Sequence, residues 1–144
     1  MTRPEPGGPV VVDTSVFGAD LLKVRAPLAA SYQPFLVGRA VFISFVTVAE
    51  LRYGARRADW GDSRLRRLDA RIASVETVWP GPELTASYVE LRDACARRGH
   101  ALSQRVNEAD RWIASTALWL GVPLVAHDSV FRKVPGLTLL TTLA

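Results

Sequence analysis

Short apolar runs alternate along this chain with longer stretches in which apolar residues return every three or four positions. Val10–Val12 and Val41–Phe45 (VFISF) are rich in β-branched and aromatic residues and read as buried strands. Pro123–Ala126 and Leu137–Leu140 repeat that pattern late in the chain, and Val75–Trp79 repeats it more weakly. Helical spacing marks Val46–Ala58, Ser63–Ser74, Glu83–Arg98 and Glu108–Leu120, with a weaker version over Ala26–Val37. Gly99 and Gly121 stand just beyond the last two long stretches, where glycine accommodates the left-handed residue that ends a helix. Strands separated by helices of this length cannot pair as hairpins. The pattern therefore predicts crossover connections, a central mainly parallel sheet and helices on both faces: one three-layer α/β/α domain over residues 10–144. Residues 1–9, MTRPEPGGP, read as a flexible tail.

Composition narrows the chemistry. A chain of 144 residues, 49% hydrophobic and 22% charged, has the size and balance of one globular domain. Such a domain buries roughly 70% of the surface its unfolded chain exposes, so any metal is expected to serve function rather than folding. The single Cys95 excludes an intramolecular disulfide and a cysteine-rich zinc site, which fits a reducing compartment. The first residues lack the apolar core of a secretory signal, and no apolar run approaches the ~20 residues of a membrane span. A cytoplasmic protein without membrane contact is expected. The formal charge of +4 favours an anionic partner. Of the 18 basic residues only Lys23 and Lys133 are lysine; the others are arginine, which suits bidentate contacts to phosphate and carboxylate.

No phosphate-binding glycine loop, dinucleotide fingerprint, serine-nucleophile elbow or His-Glu-x-x-His zinc motif is present, and His100 and His127 are the only imidazoles. The acids are better placed. Ligands of a parallel α/β sheet bind beyond the carboxyl ends of its strands, and Asp13 and Asp128 follow two of the predicted strands. Glu50 lies one turn into the helix after the second strand, and Asp110 lies in the first turn of the helix leading to Pro123. Gathered in one cleft, four carboxylates would raise one another's pKa values unless a cation neutralised them. Oxygen-only ligation suits Mg²⁺ or Mn²⁺, which share their shells with water and substrate phosphates, so phosphodiester hydrolysis is the matching reaction class. Each acid also has a local reading. Asp13 fits a helix N-cap, Glu50 closes a capping box with Thr47, Asp110 suits a helix dipole and Asp128 suits an Asx-turn.

The surroundings of these acids resemble a known family. VVVDTSV at 10–16, TVAELRYG at 47–54, ADRWIASTAL at 109–118 and LVAHDSVF at 124–131 are similar, in the same order, to the four acidic motifs of PIN-domain ribonucleases, in particular the VapC-like toxins of type II toxin–antitoxin modules. The resemblance covers nearly the whole chain after the tail. It implies a PIN fold and a metal-dependent endoribonuclease that leaves 5′-phosphate and 3′-hydroxyl ends. Asp13, Glu50, Asp110 and Asp128 would be the catalytic, Mg²⁺- or Mn²⁺-holding cluster, supported by Ser15 and Thr14. The last motif departs from the Thr-x-Asp-x-Asp-Phe of many relatives: Ala126 and Val130 replace its polar positions, which favours one well-held ion over a permanent pair. The resemblance further implies an RNA substrate, a cognate antitoxin laid in an apolar groove, and a homodimer; Phe17, Leu21, Leu22, Leu51 and Tyr53 are candidates for that groove and equally for the core. A PIN-like nuclease of RNA processing or DNA structures, and a degenerate module that only binds RNA or protein, are the alternatives.

Other features have two readings each. Arg64, Arg67 and Arg71 form a stripe on one helix face, either solvated or touching RNA or a partner. Arg105 and Arg111 flank Asp110 and are candidates for phosphate or partner contact at the cleft mouth. Trp112 and Trp119 suit core packing better than base stacking. His127, Trp60 and Tyr53 are further candidates for RNA contact.

Overall fold

The computed structural model describes residues 7–144; most of the expected tail, residues 1–6, lies outside them. The chain runs through β1 (Val10–Val12), α1 (Thr14–Phe17), α2 (Ala26–Leu36), β2 (Val41–Ser44), α3 (Phe45–Arg57), α4 (Asp62–Ala73), β3 (Glu76–Val78), α5 (Pro82–Arg97), α6 (Glu108–Leu120), β4 (Leu124–Val125) and β5 (Leu139–Leu140). Short 3-10 turns occupy Ala19–Leu21, Lys23–Arg25, Ala101–Ser103, Arg105–Asn107 and Ser129–Phe131. The five strands lie in the order β3-β2-β1-β4-β5, and every neighbouring pair is parallel. Helices cover both faces, giving the three-layer architecture expected from the pattern.

Three valines suffice for the central strand because both its faces are buried. Val11 packs with Leu91 of α5 and Ile113 and Ala114 of α6, whereas Val10 and Val12 pack on the opposite face with Phe17, Tyr32 and Val48. This two-residue alternation is that of a pleated strand, and burying each side chain contributes about 1.5–3 kcal/mol. A smaller cluster of Leu21, Ala55 and Leu68 joins α4 to α3 and to the first 3-10 turn. From β1 the chain builds outward through β2 and β3, then crosses back to place β4 and β5 on the other side. The order reverses between β1 and β4, so their carboxyl ends open the crevice where such sheets bind ligands.

Gly99 and Gly121 adopt φ of 64° and 68°, the left-handed conformation expected beyond α5 and α6. Most element ends lie within one or two residues of the ranges expected from the pattern, and two differences bear on the site. The strand expected over Val41–Phe45 ends at Ser44, whose side chain accepts the Val46 N–H at 3.2 Å and starts α3 one residue early. The one-turn helix α1 had no periodic signal because four residues are too few to show one. Among the described residues, no helix is long and apolar enough to cross a membrane.

Candidate active site

Asp13 follows β1 directly and is 3% exposed. Its Oδ1 accepts the Val16 N–H at 2.9 Å, Ser15 Oγ donates to Oδ2 at 3.3 Å, and the His127 N–H adds a backbone bond from the end of β4. The N-cap reading of this residue is thus correct, and it coexists with a place in the cleft. Burial pushes the Asp13 carboxyl up to about 6; the three hydrogen bonds oppose the rise and the charge of Asp128 adds to it. Asp128 stands beyond β4, exposed, and its Oδ1 accepts the Val130 N–H at 2.9 Å to open a 3-10 turn.

The other two acids come from helices. Glu50 projects from α3, where its Oε1 accepts a hydrogen bond from Thr14 Oγ1 at 2.7 Å. The capping box with Thr47 does not form: Ser44 caps α3, and Thr47 instead turns its hydroxyl to Thr14 Oγ1 at 2.9 Å. Asp110, in the first turn of α6, is half-buried. Its carboxyl is raised to about 6, first by burial and then by the charges of Asp128, Glu50 and Asp13, with Arg111 opposing.

All four carboxylates line one cleft of about 300 Å³, together with Thr14, Ser15 and Arg25 and the apolar side chains of Leu22, Leu51 and Ile113. Four separate segments of chain therefore converge on a single concentration of negative charge. Neither histidine lines it. His127 Nδ1 is bound to the buried Tyr32 hydroxyl at 2.7 Å. His100 Nδ1 accepts the Leu102 N–H at 3.0 Å, which leaves Nε2 to donate to the Arg132 carbonyl at 2.7 Å. Among the described residues no three acids, histidines or cysteines form a ready-made ligand shell. The donor set nonetheless fits a hard divalent cation. It is all oxygen, two of its members are held above their ordinary range, and Mg²⁺ needs only one or two carboxylates because water completes its octahedron.

The basic residues sort differently from the sequence reading. Arg111 does not reach the cleft mouth. It is 1% exposed, and its Nη1 donates to the carbonyls of Leu102 and Gln104 at 2.8 and 2.6 Å, with Nε on the Tyr88 hydroxyl at 3.3 Å. Successive residues of a helix point about 100° apart, so turning Asp110 to the cleft turns Arg111 into the core. There it pins residues 101–107 against α5 and α6. On α4, Arg71 lies 4.2 Å over the Phe17 ring and pairs with Asp20 at 3.2 Å, Arg67 donates to the Asp20 carbonyl at 3.4 Å, and Arg64 lies 5.4 Å over Trp60. The stripe exists, but two of its members tie α4 to the first 3-10 turn. Arg25, which the sequence reading passed over, lines the acidic cleft itself. Its only signal in the sequence is proximity to Asp13 along the chain, too little to single it out.

The aromatic candidates also divide. Trp112 stacks on Tyr88 at 4.0 Å and meets Phe45 edge-on at 5.4 Å, so it is packing, whereas Trp119 remains 43% exposed. Of the groove candidates, Phe17 and Leu21 are buried, Leu22 and Leu51 line the cleft, and Tyr53 is 64% exposed.

The family model described as PIN domain matches residues 10–137. The chain belongs to the PIN-domain family. Ribonuclease VapC5 of Mycobacterium tuberculosis (strain ATCC 25618 / H37Rv) is 30% identical to this PIN domain over 128 residues, covering 88% of this chain and 87% of that one. The solved structure of VapBC-5 from Mycobacterium tuberculosis, a member of the VapBC family of toxin-antitoxin systems, superposes with a TM-score of 0.67 at 29% identity, covering 94% of this chain and 98% of that one. DNA-bound VapBC from Salmonella typhimurium superposes with a TM-score of 0.76 at 21% identity over 92% of this chain and 97% of that one, a likeness of fold.

Proposed function

We propose that this PIN domain is a divalent-metal-dependent endoribonuclease that hydrolyses RNA phosphodiester bonds as the toxin of a type II toxin–antitoxin pair, acting in the cytoplasm. The observation that carries the reading is the convergence of Asp13, Glu50, Asp110 and Asp128 on one cleft whose burial and mutual repulsion hold two of them near 6. Its kinship with Ribonuclease VapC5 supports the RNA substrate, and the VapBC complexes among its structural relatives support a cognate antitoxin.

Asp13, Asp110, Asp128 and Glu50 would together hold Mg²⁺ or Mn²⁺, Asp13 and Asp110 being the most buried of the four. Such a cation lowers the pKa of water and offsets charge on a phosphoryl oxygen. Ser15 and the Val16 and His127 N–H groups fix the Asp13 carboxylate, so its oxygens keep one orientation as the cation is exchanged. Glu50, exposed and held through a single oxygen by Thr14, is the carboxylate best placed to take a proton from an attacking water. Arg25 on the cleft wall would meet a phosphate of the strand flanking the scissile bond. Leu22, Leu51 and Ile113 give the cleft an apolar side against which an antitoxin segment would lie, setting a basic side chain toward the acids. The toxin is expected to pair as a homodimer.

The test is cleavage of a structured RNA pool by purified, antitoxin-free protein with Mg²⁺, with Mn²⁺ and with chelator, beside Asp13→Asn. Metal-dependent cuts with 5′-phosphate ends, lost in the variant, are expected. Cutting that survives chelator, or that Asp13→Asn retains, would overturn the reading.

A further inference from the structure

The two threonines behind Glu50 form a chain whose direction is set by chemistry. An ionised carboxylate only accepts hydrogen bonds, so at 2.7 Å Thr14 Oγ1 must spend its single proton on Glu50. Thr14 can then only accept from Thr47, 2.9 Å away, and Thr47 Oγ1 must be the donor. Thr47 is fully buried on the first turn of α3, where a hydroxyl needs a partner, and Ser44 already caps the helix. The Thr47 hydroxyl therefore serves the cleft and not the helix end. α1 and α3 are tied together at the same point, so the strand-end segment after Asp13 and the helix carrying Glu50 share one polar joint.

We propose that Thr47 is a positioning residue: by donating to Thr14 it orients the Thr14 proton toward Glu50 Oε1 and leaves Oε2 turned to the cleft for a divalent cation or a water. The cation part rests on the function proposed above; the hydrogen-bond order does not. Thr47 touches no substrate. It acts through Thr14, and removing its hydroxyl leaves the Thr14 proton free to rotate to other acceptors and Glu50 free to swing into solvent.

Two measurements test this separately. In the metal-free protein, the ¹³C resonance of the Glu50 carboxyl, identified by its loss in Glu50→Gln, should move in Thr14→Val, move less in Thr47→Val and return in Thr47→Ser. A resonance unmoved in a folded Thr47→Val overturns the proposal whatever the protein cleaves. Mn²⁺ titration then reads the cation part. Thr47→Val should weaken binding about fivefold, the worth of a single hydrogen bond, and should have no further effect in Glu50→Gln. Equal losses in both backgrounds would mean that Thr47 acts through general packing and would overturn it. Absence of Mn²⁺ binding in the unaltered protein would overturn the metal reading and the cation part with it, while the carboxyl resonance still decides the hydrogen-bond order.

Discussion

The cleft has two walls, and they are held in different ways. On the strand side, Asp13 and Asp128 accept backbone N–H groups just beyond β1 and β4, so each is at once an acid of the cleft and a local cap. On the helix side, Glu50 is held by a threonine hydroxyl, and Asp110 is placed by α6, whose next residue, Arg111, is locked into the core. Chain geometry and chemistry are fused in one wall and separable in the other. An acid that caps its own turn cannot drift from the sheet edge, which makes the strand wall the fixed reference. The helix wall must be aligned to it by side chains.

The largest effects should fall on catalysis. If the four acids hold a cation as proposed, Asp13→Asn and Asp110→Asn are each expected to reduce RNA cleavage on the order of a thousandfold, because each removes one of the carboxylates of that site. Thermal melts then separate the walls. Asn at 13 still accepts the Val16 N–H, whereas Asp13→Ala orphans it and the His127 N–H, so Ala should be less stable than Asn by about 1–2 kcal/mol. At 110 the Ala and Asn variants should melt together. An equal Ala-to-Asn gap at both positions would refute the distinction.

Next in size is the support behind the helix wall. Arg111→Met leaves the Leu102 and Gln104 carbonyls without their charged donor, and a loss of about 3 kcal/mol in denaturant unfolding is expected. Because the same guanidinium holds residues 101–107 against α6, amide exchange should accelerate first in that segment. Protection unchanged there would mean that Arg111 only fills space.

Proton linkage sharpens the comparison further. Asp13 and Asp110 each rise from 3.8 to about 6 on folding, so the folded state binds protons more tightly than the unfolded chain. Their stabilising effect is fully present below about 3.8 and is lost as pH rises through about 6. Metal-free protein should therefore lose up to about 6 kcal/mol across that window, about 3 for each carboxyl and less for the half-buried Asp110, relative to the Asp13→Asn, Asp110→Asn double variant, read as the difference between their unfolding curves. If the cleft binds Mn²⁺ as proposed, the ion would compete with these protons and should raise the melting temperature more at pH 7.5 than at pH 5. A difference that grows in the opposite direction would mean that the two carboxyls are not held above their ordinary range.

These contrasts also mark how far the sequence could be read. The sheet was legible because β1, β2 and β4 are apolar runs that only burial on two faces explains, and Asp13 and Asp128 were legible because they sit where such runs stop. Glu50 and Asp110 needed more: nothing in a helix's periodicity says which polar residue turns toward a distant strand end, so only their nearness to helix starts pointed to them, and the family resemblance then added its weight. Arg111 shows the same limit from the other side, since its two readings could not be separated. A neighbour in sequence is a quarter-turn away on a helix, and an arginine that satisfies carbonyls of a loop seven to nine residues back looks no different in sequence from one that reaches a phosphate. The threonine pair was hidden because its partners stand 33 and 36 residues apart, and Thr47 already had a plausible local role.

The smallest expected effect concerns where RNA runs, which sets the cleft against the basic face of α4. Arg25 lines the acidic cleft, while Arg67 and Arg71 are engaged with the turn at Ala19–Leu21. A nucleic acid entering a site this negative needs a cation on the wall to hold its neighbouring phosphate, and each such contact releases about one counterion. In the Asp13→Asn background, which isolates binding from cleavage, Arg25→Ala should weaken RNA affinity severalfold and reduce the slope of log affinity against log salt by about 1. Arg64→Ala, on the outer face over Trp60, should leave the slope nearly unchanged. The reverse result would route the strand across α4 and leave Arg25 to balance the charge of the cleft alone.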